Sequence, residues 1–202
     1  MSHMALDRSR PVVAHHSLEA MTLPTDESLI ARSRAGDASA IALLVERHAD
    51  TVYRIAFRLV GQKAQAEDIA QDVLARMLTY REGWLSKTSF FVWLRRAVYN
   101  RTIDVYRKAR PWQHSDLDTA ADTADDGLTP DAALSANQTQ ARVAAAMQEL
   151  PLRQRMAVTL CFYEQMSLAE AGDVLKVSVG AVESLLHRAK ATLKEKLLDL
   201  GQ

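Results

Sequence analysis

The stretch "FFVWLRRAVYNRTIDVYRKARP", residues 90–111, carries six cationic side chains, five aromatic rings and a single acid. Residues of these types at this spacing make no nucleophile, general base or metal cage, so the chemistry on offer is non-covalent. Guanidinium groups pair with phosphate oxygens and ring faces stack on unpaired bases, a combination suited to single-stranded nucleic acid. The two sets act together only if a helix sorts them. At about 100° per residue, Phe90, Phe91, Val98 and Val105 fall within about 60° of Leu94 and form a stripe facing a core. The opposite side gathers Arg95, Arg96, Tyr99, Asn100, Tyr106, Arg107 and Arg110, while Arg101 falls near the core stripe. Trp84, in the loop "REGWLSKT" with Lys87, offers an indole that can wedge against a base; Trp93 reads as core. The same periodicity also describes an Arg-rich solvated face edged by tyrosines.

The elements that would position these residues are helices throughout. Long β-branched alternations and hairpin dipeptides such as Asn-Gly are missing, and apolar residues recur at helical spacing. Thr25 caps a first helix that carries Asp26 and Glu27 in its opening turn, and Gly36-Asp37 ends it. A long helix follows from about Ala38 to Val60 and stops at Gly61. The next runs from about Ala64 to Tyr80, with Ile69, Val73 and Met77 on one side and positions 68, 71, 72 and 75 on the other. Ser89 is the expected cap of the basic aromatic helix. Beyond the segment "QHSDLDTAADTADDGLTP", which reads as a tether, helices are expected over about Asp131–Glu149 and Leu152–Tyr163. Ser167 and Glu170 have capping-box spacing and open a short helix to Leu175; Lys176 and Val177 turn; Ser178 caps a last helix to about Leu198. Short helix, tight turn and longer helix make a helix-turn-helix. The fold class is all-α, in two small helical domains: 25–112 and 139–202, with an acidic linker over 113–138 and a tail over 1–24.

With 202 residues, 48% of them apolar, the chain has enough hydrophobic material for two small cores. The formal charge of zero is a cancellation: residues 25–112 hold 15 Lys/Arg against 10 Asp/Glu, whereas 113–138 hold six Asp and no Lys or Arg. No apolar run approaches the roughly 20 residues of a membrane span and no secretory signal is recognisable, so a cytoplasmic protein without membrane insertion is expected. The opening "MSHM" reads as a remnant of cloning, which puts the natural start at Met4. The lone Cys161, among apolar neighbours, reads as a small buried hydrophobe, and one cysteine builds neither a disulfide nor a zinc site. The His15-His16 pair has no further ligands nearby. Gly-rich phosphate loops, HExxH and nucleophile elbows are missing, so neither an enzyme, nor a cofactor, nor a small-molecule substrate is expected.

Three stretches together resemble the alternative sigma factors of bacterial RNA polymerase, of the two-domain extracytoplasmic-function kind. "AEDIAQDVLARML" is similar to that family's polymerase-binding helix, "FFVWLRRAVYNRTIDVYRKAR" to its promoter-melting segment, and "LPLRQRMAVTLCFYEQMSLAEAGDVLKVSVGAVESLLHRAKATL" to its −35-reading domain. The resemblance implies that Glu67, Asp68, Gln71 and Asp72 face the β′ clamp helices of core RNA polymerase and that the second domain meets the β flap. It implies that the loop carrying Trp84 and Lys87, with Asn100, holds a base flipped from the non-template strand. Arg95, Arg96, Arg101, Arg107 and Arg110 would then hold the backbone, beside the rings of Tyr99 and Tyr106. Capturing unstacked bases offsets an unpairing cost of a few kcal/mol per base, so melting needs no ATP. In the second domain Ser178, Gly180, Ala181, Glu183, Ser184, His187, Arg188 and Lys190 would reach the −35 element through the major groove. Here the chain departs from the family's "G-T-V-K-S-R-L-H-R-A-R": Ala181 stands for Thr, Glu183 for Lys and Leu185 for Arg, and Lys176 replaces the usual turn Gly. Glu183 could accept a bond from a cytosine amino group.

The resemblance also implies promoter DNA and an anti-sigma factor as partners. Its two promoter elements lie roughly 70 Å apart, two duplex turns. The 26 residues of 113–138 span at most about 94 Å and average about 30 Å as a coil, so the tether must be stretched, its six Asp mimicking nucleic acid in the polymerase channel. Two other readings stay open: a stand-alone helix-turn-helix regulator, which would bind duplex promoter unaided, and a sigma-like protein that only titrates an anti-sigma factor.

Overall fold

The computed structural model describes residues 23–79, 84, 86–109 and 136–199. Residues 113–135 of the expected linker over 113–138, the loop positions 80–83 and 85, and Arg110 lie outside the described residues. All elements among the described residues are helical.

Helix α1 (Asp26–Arg34) begins as expected, with the Thr25 hydroxyl accepting the Ser28 amide at 3.3 Å. Asp37 caps α2 (Ala38–Val60), accepting from the amides of Ser39 at 2.9 Å and Ala40 at 3.2 Å. Bonds from Ser39, Arg32 and Ala40 hold its carboxyl well below the usual carboxylate range. Gly61 closes α2 in the left-handed region at φ +72°, and only Gln62 separates it from α3 (Lys63–Thr79). So short a connection makes α2 and α3 an antiparallel hairpin. Helix α4 (Lys87–Ala109) lies across both. It starts two residues before the expected cap: Ser86 is the cap and Ser89 sits in the first turn. Each serine's hydroxyl accepts the other's amide, at 2.9 Å and 3.2 Å. Leu29, Leu44, Ile55, Leu59, Ile69, Val73 and Met77 are buried with Phe90, Leu94 and Val98, the stripe read from the basic helix.

In the second unit α5 runs over Ala136–Gln148, within the expected Asp131–Glu149, of which residues 131–135 lie outside the described residues. Helix α6 (Leu152–Val158) follows Pro151, then unwinds into a π-helical turn over Thr159–Tyr163, where one continuous α-helix was expected. Helix α7 (Leu168–Leu175) opens on the Ser167–Glu170 capping box, whose bonds lower the Glu170 pKa. Lys176 turns the chain at φ +57°, and α8 (Val179–Asp199) completes the helix-turn-helix. The turn is tight at Gly172, where a Cβ would sit 2.9 Å from the Val177 carbonyl oxygen. Ser178 caps α8 by accepting the Ala181 amide at 3.2 Å.

The two units are not separate. One buried apolar cluster runs from α2, α3 and α4 into Leu152, Met156, Leu160, Ala171, Val174 and Val182 of the second unit. A smaller one, Met147, Leu150, Val158 and Ala189, ties α5 and α6 to α8.

Candidate nucleic-acid interface

Helix α3 presents Glu67, Asp68, Gln71 and Asp72 together on an exposed face, opposite the buried Ile69, Val73 and Met77. Glu67 lies 3.9 Å from Lys63, one turn back. Asp72 takes a hydrogen bond from Arg101 of α4. The angle that set Arg101 near the core stripe is thereby accounted for: the side chain runs along α3 and meets an acid there. Two residues expected in different sites are each other's partner.

On α4, the side expected to meet nucleic acid divides. Asn100 and Arg107 are exposed, and Lys87 is exposed with its ammonium 3.6 Å from Glu27. The central cations face protein instead. Arg95 pairs with Glu164 at 3.0 Å and lies over the Phe91 ring at 5.3 Å. Arg96 donates to the Asp173 carbonyl oxygen, near the end of α7, at 2.6 Å. Tyr99, expected as a stacking ring, is 1% exposed; burial first, then the charge of Glu164, pushes its phenol pKa well above the ordinary value. Tyr106 is half-buried, its hydroxyl 3.4 Å from the Leu59 carbonyl oxygen to which it donates.

Trp84 departs from expectation as well. Rather than an indole on the surface, it is fully buried, edge-on to Phe90 at 5.0 Å and to Trp93 at 5.2 Å. An indole is the largest apolar surface in this loop, and it packs against the first turns of α4. The neighbouring His48 packs against Phe90 and Phe91, with Nε2 3.3 Å from the Asp26 carboxylate. Desolvation lowers its pKa despite the pull of Asp26.

Helix α8 is the second helix of the helix-turn-helix and is amphipathic. Ser178, Gly180, Glu183, Ser184, His187, Arg188 and Lys190 are exposed along one side, with Ala181 half-buried at its edge. Val182, Leu185 and Ala189 are buried on the other. Leu185, which stands where the family pattern has Arg, is 5% exposed, so the missing cation is a gained core contact. Cys161 is half-buried in the π-turn, and desolvation raises its thiol pKa.

Four residues at the junction carried no signal in the sequence reading. Glu164 bridges Arg95 and, at 3.6 Å, Arg58, whose guanidinium lies over the Tyr163 ring at 4.5 Å. Arg155 of α6 is buried; it donates to the Leu59 carbonyl oxygen at 2.5 Å and the Tyr106 hydroxyl at 3.2 Å, and also bonds Gln148 and Leu150. Desolvation lowers its pKa. Gln148 donates to the Arg58 carbonyl oxygen at 2.9 Å and lies where a Cβ on Gly61 would be, 2.7 Å away. Asp173 contributes only its backbone. None of the four belongs to an apolar period, and the pairing spans sequence separations that no local pattern encodes.

Comparison with known proteins gives the family. The family model described as sigma-70 region 2 matches residues 44–111, and that described as sigma-70, region 4, matches residues 140–193. The chain is 29% identical over 179 residues to the ECF RNA polymerase sigma factor SigW of Bacillus subtilis, covering 85% of this chain and 96% of SigW. It is 33% identical over 141 residues to the ECF RNA polymerase sigma factor SigF of Caulobacter vibrioides, covering 69% and 75%. The solved structure of CnrH in complex with the cytosolic domain of CnrY superposes with a TM-score of 0.63 at 27% identity, over 88% of this chain and 99% of that one. With region 2 falling on α2–α4 and region 4 on α5–α8, the chain belongs to the sigma-70 family, as an extracytoplasmic-function RNA polymerase sigma factor.

Proposed function

We propose that this alternative sigma factor binds core RNA polymerase through the acidic face of α3, reads the −35 element with α8, and captures the melted non-template strand on α4. The observation that carries the reading is the pair of exposed faces on separate units: Asp68 and Gln71 on α3, and Glu183, His187, Arg188 and Lys190 on α8. An acid-and-amide face suits a basic partner surface, and an exposed polar face on the second helix of a helix-turn-helix suits a major groove. Residues 25–112 then act as the polymerase and −10 unit, and the second unit as the −35 unit, which also meets the β flap. Within the first, Asn100, Arg107 and Arg110 contact the strand beside Arg95, Arg96, Arg101, Tyr99 and Tyr106. The loop of Trp84 and Lys87 completes a pocket for a flipped base, with Trp84 as its buried floor.

The protein acts in the cytoplasm, where polymerase and promoter DNA are found. Among the described residues no helix is long and apolar enough to cross a membrane. By likeness to CnrH, solved with a cytosolic domain of CnrY, a protein inhibitor covering both units is the expected regulator.

Run-off transcription from a cognate promoter with purified core polymerase tests the reading. A transcript that requires both chain and polymerase is expected. Duplex promoter binding by the chain alone, with no transcript, would instead identify a stand-alone regulator, and binding of an inhibitor with neither activity would identify a titrating mimic. The polymerase face has its own test. Because Asp72 holds Arg101, reversing it would set two guanidiniums together; Asp68→Arg with Gln71→Arg is the cleaner variant. Loss of core-polymerase affinity by at least about tenfold, a difference of about 1.4 kcal/mol, with an unchanged melting curve is expected. Unaltered affinity in a pull-down titration would remove α3 from the polymerase interface.

A further inference from the structure

Helix α8 spends several of its expected groove-facing groups on its own backbone. The Ser178 hydroxyl accepts the Ala181 amide at 3.2 Å, and Ala181 itself is half-buried. Ser184 donates its proton to the Gly180 carbonyl oxygen at 2.9 Å, and Arg188 donates through Nε to the Ser184 carbonyl oxygen at 3.3 Å. Two side chains of opposite chemistry stay free on the first two turns. Val179, which carried no signal in the sequence reading, is 44% exposed, and Glu183 is exposed with no ion pair from any described residue.

At about 100° per residue, Val179, Glu183 and His187 follow one another at 40° intervals, and Lys190 and Lys194 lie on the same side further along. All five are exposed, while Val182, Leu185 and Ala189 face the core. The strip is graded, with methyl groups and a carboxylate at its amino-terminal end and cations toward the other. In a helix docked in the major groove, the amino-terminal residues meet base edges. From Val179 to Glu183 the axis rises about 6 Å, just under two base-pair steps. Gly180 lies beside them on the open side, where a Cβ would meet nothing within 4 Å. A glycine weakens a helix relative to alanine, and neither packing nor a left-handed φ calls for one here. Its lack of a side chain lets a partner come close to the backbone.

An ionised carboxylate only accepts hydrogen bonds. In the major groove guanine and thymine present acceptors to it, and adenine sets N7 next to its amino group. Cytosine alone presents an amino donor with no acceptor beside it on the same base. Near phosphates an acid weakens binding to every duplex, and a bond from an amino group offsets the loss only where cytosine stands. Glu183 therefore selects largely by penalising the other three bases. Val179 supplies an attractive contact of the other kind, because thymine alone carries a C5 methyl for an apolar side chain to cover.

We infer that Val179 and Glu183 are the base-reading pair of α8: the −35 element carries a cytosine whose amino group meets the Glu183 carboxylate, within two base pairs of a thymine whose methyl meets Val179. The inference rests on the proposed function for the placement of α8 in the groove, and adds which bases that placement selects.

The test uses holoenzyme assembled from core polymerase and the full chain, selecting from duplex promoters randomised over the −35 element. The unaltered chain is expected to fix a cytosine at one position and a thymine within two base pairs of it. Glu183→Gln is expected to change that cytosine to adenine, because a primary amide both accepts from N6 and donates to N7. Val179→Ser is expected to relax the thymine and keep the cytosine. On fixed duplexes Glu183→Ala should lose at least tenfold on the selected site and gain on a site with guanine in place of the cytosine, opposite signs that a general loss of folding does not produce. A selected sequence that no Glu183 variant alters overturns the base contact and leaves the proposed function standing. A position that responds to Glu183 but holds an A·T pair overturns the cytosine assignment. A holoenzyme that fixes no base in this element overturns the placement of α8, and the inference with it.

Discussion

His48 is held where its charge is unwelcome. Its ring lies among Phe90 and Phe91, and the charged groups around it are Asp26, which favours the imidazolium, and Arg47 and Arg95, which oppose it. Desolvation dominates, so the folded-state pKa lies below the ordinary value of 6.5 and the unfolded chain binds the proton more readily. Stability is then full above about pH 6.5 and falls as pH drops through the window beneath it. Urea melts at pH 7.5 and 5.5 should show that loss, and His48→Gln should flatten it. Asp37 and Glu170, whose pKa values are lowered, act in the same direction but at more acidic pH, where their carboxylates take up protons. Trp84 gives a second prediction at this scale. Removing a fully buried indole should cost about 3–5 kcal/mol, so Trp84→Ala should shift the urea midpoint sharply. A side chain that touched only DNA would leave that midpoint in place. Its burial was not legible in the sequence, because "REGWLSKT" has no period from which to read an inward direction. The stripe of Phe90, Leu94 and Val98 was legible, since each lies one turn from the next.

Among the elements, the caps were the most legible features. Thr25, Asp37, Gly61, the Ser167–Glu170 box and Ser178 all act through bonds to residues at most four positions away, so their spacing carries the information. Lys176 shows where a local rule is broken at a cost. A residue with a Cβ in the left-handed region loses roughly 1–2 kcal/mol relative to Gly, part of which the greater flexibility of unfolded Gly returns. Lys176→Gly should therefore raise the thermal midpoint of the chain by a few degrees without moving α8. Gly172 is the converse: with the Val177 carbonyl oxygen 2.9 Å from a Cβ, Gly172→Val should splay α7 from α8. A lower melting temperature together with weaker −35 duplex binding by the assembled holoenzyme would register that. The outward face of α4 was legible as cations and rings but not as to what it meets. A guanidinium has the same spacing whether its partner is a phosphate or Glu164, which lies 69 positions beyond Arg95.

For the whole molecule, one apolar cluster through both units predicts a single unfolding event. Differential scanning calorimetry of the free chain should give one cooperative transition, which Glu164→Arg should split into two as the units part. The acidic segment belongs to this scale too. Converting its six Asp to Asn should weaken holoenzyme transcription while leaving the calorimetric profile of the free chain unchanged; full transcription would end the idea that the segment imitates nucleic acid. Composition divided along the chain was enough to find that segment, whereas the closure of one unit on the other left no trace in composition.

The wide turn at Thr159–Tyr163 sets a phase. Its i→i+5 winding holds one more residue than an α-turn would, and Glu164 leaves it already aimed at Arg95. Deleting a single residue from the α-helical Leu152–Val158 stretch, which has no such spare residue to absorb the loss, would rotate everything downstream by about 100° relative to the start of α6. The carboxylate would then swing off its guanidinium partners, and the whole recognition hairpin would be re-aimed with it.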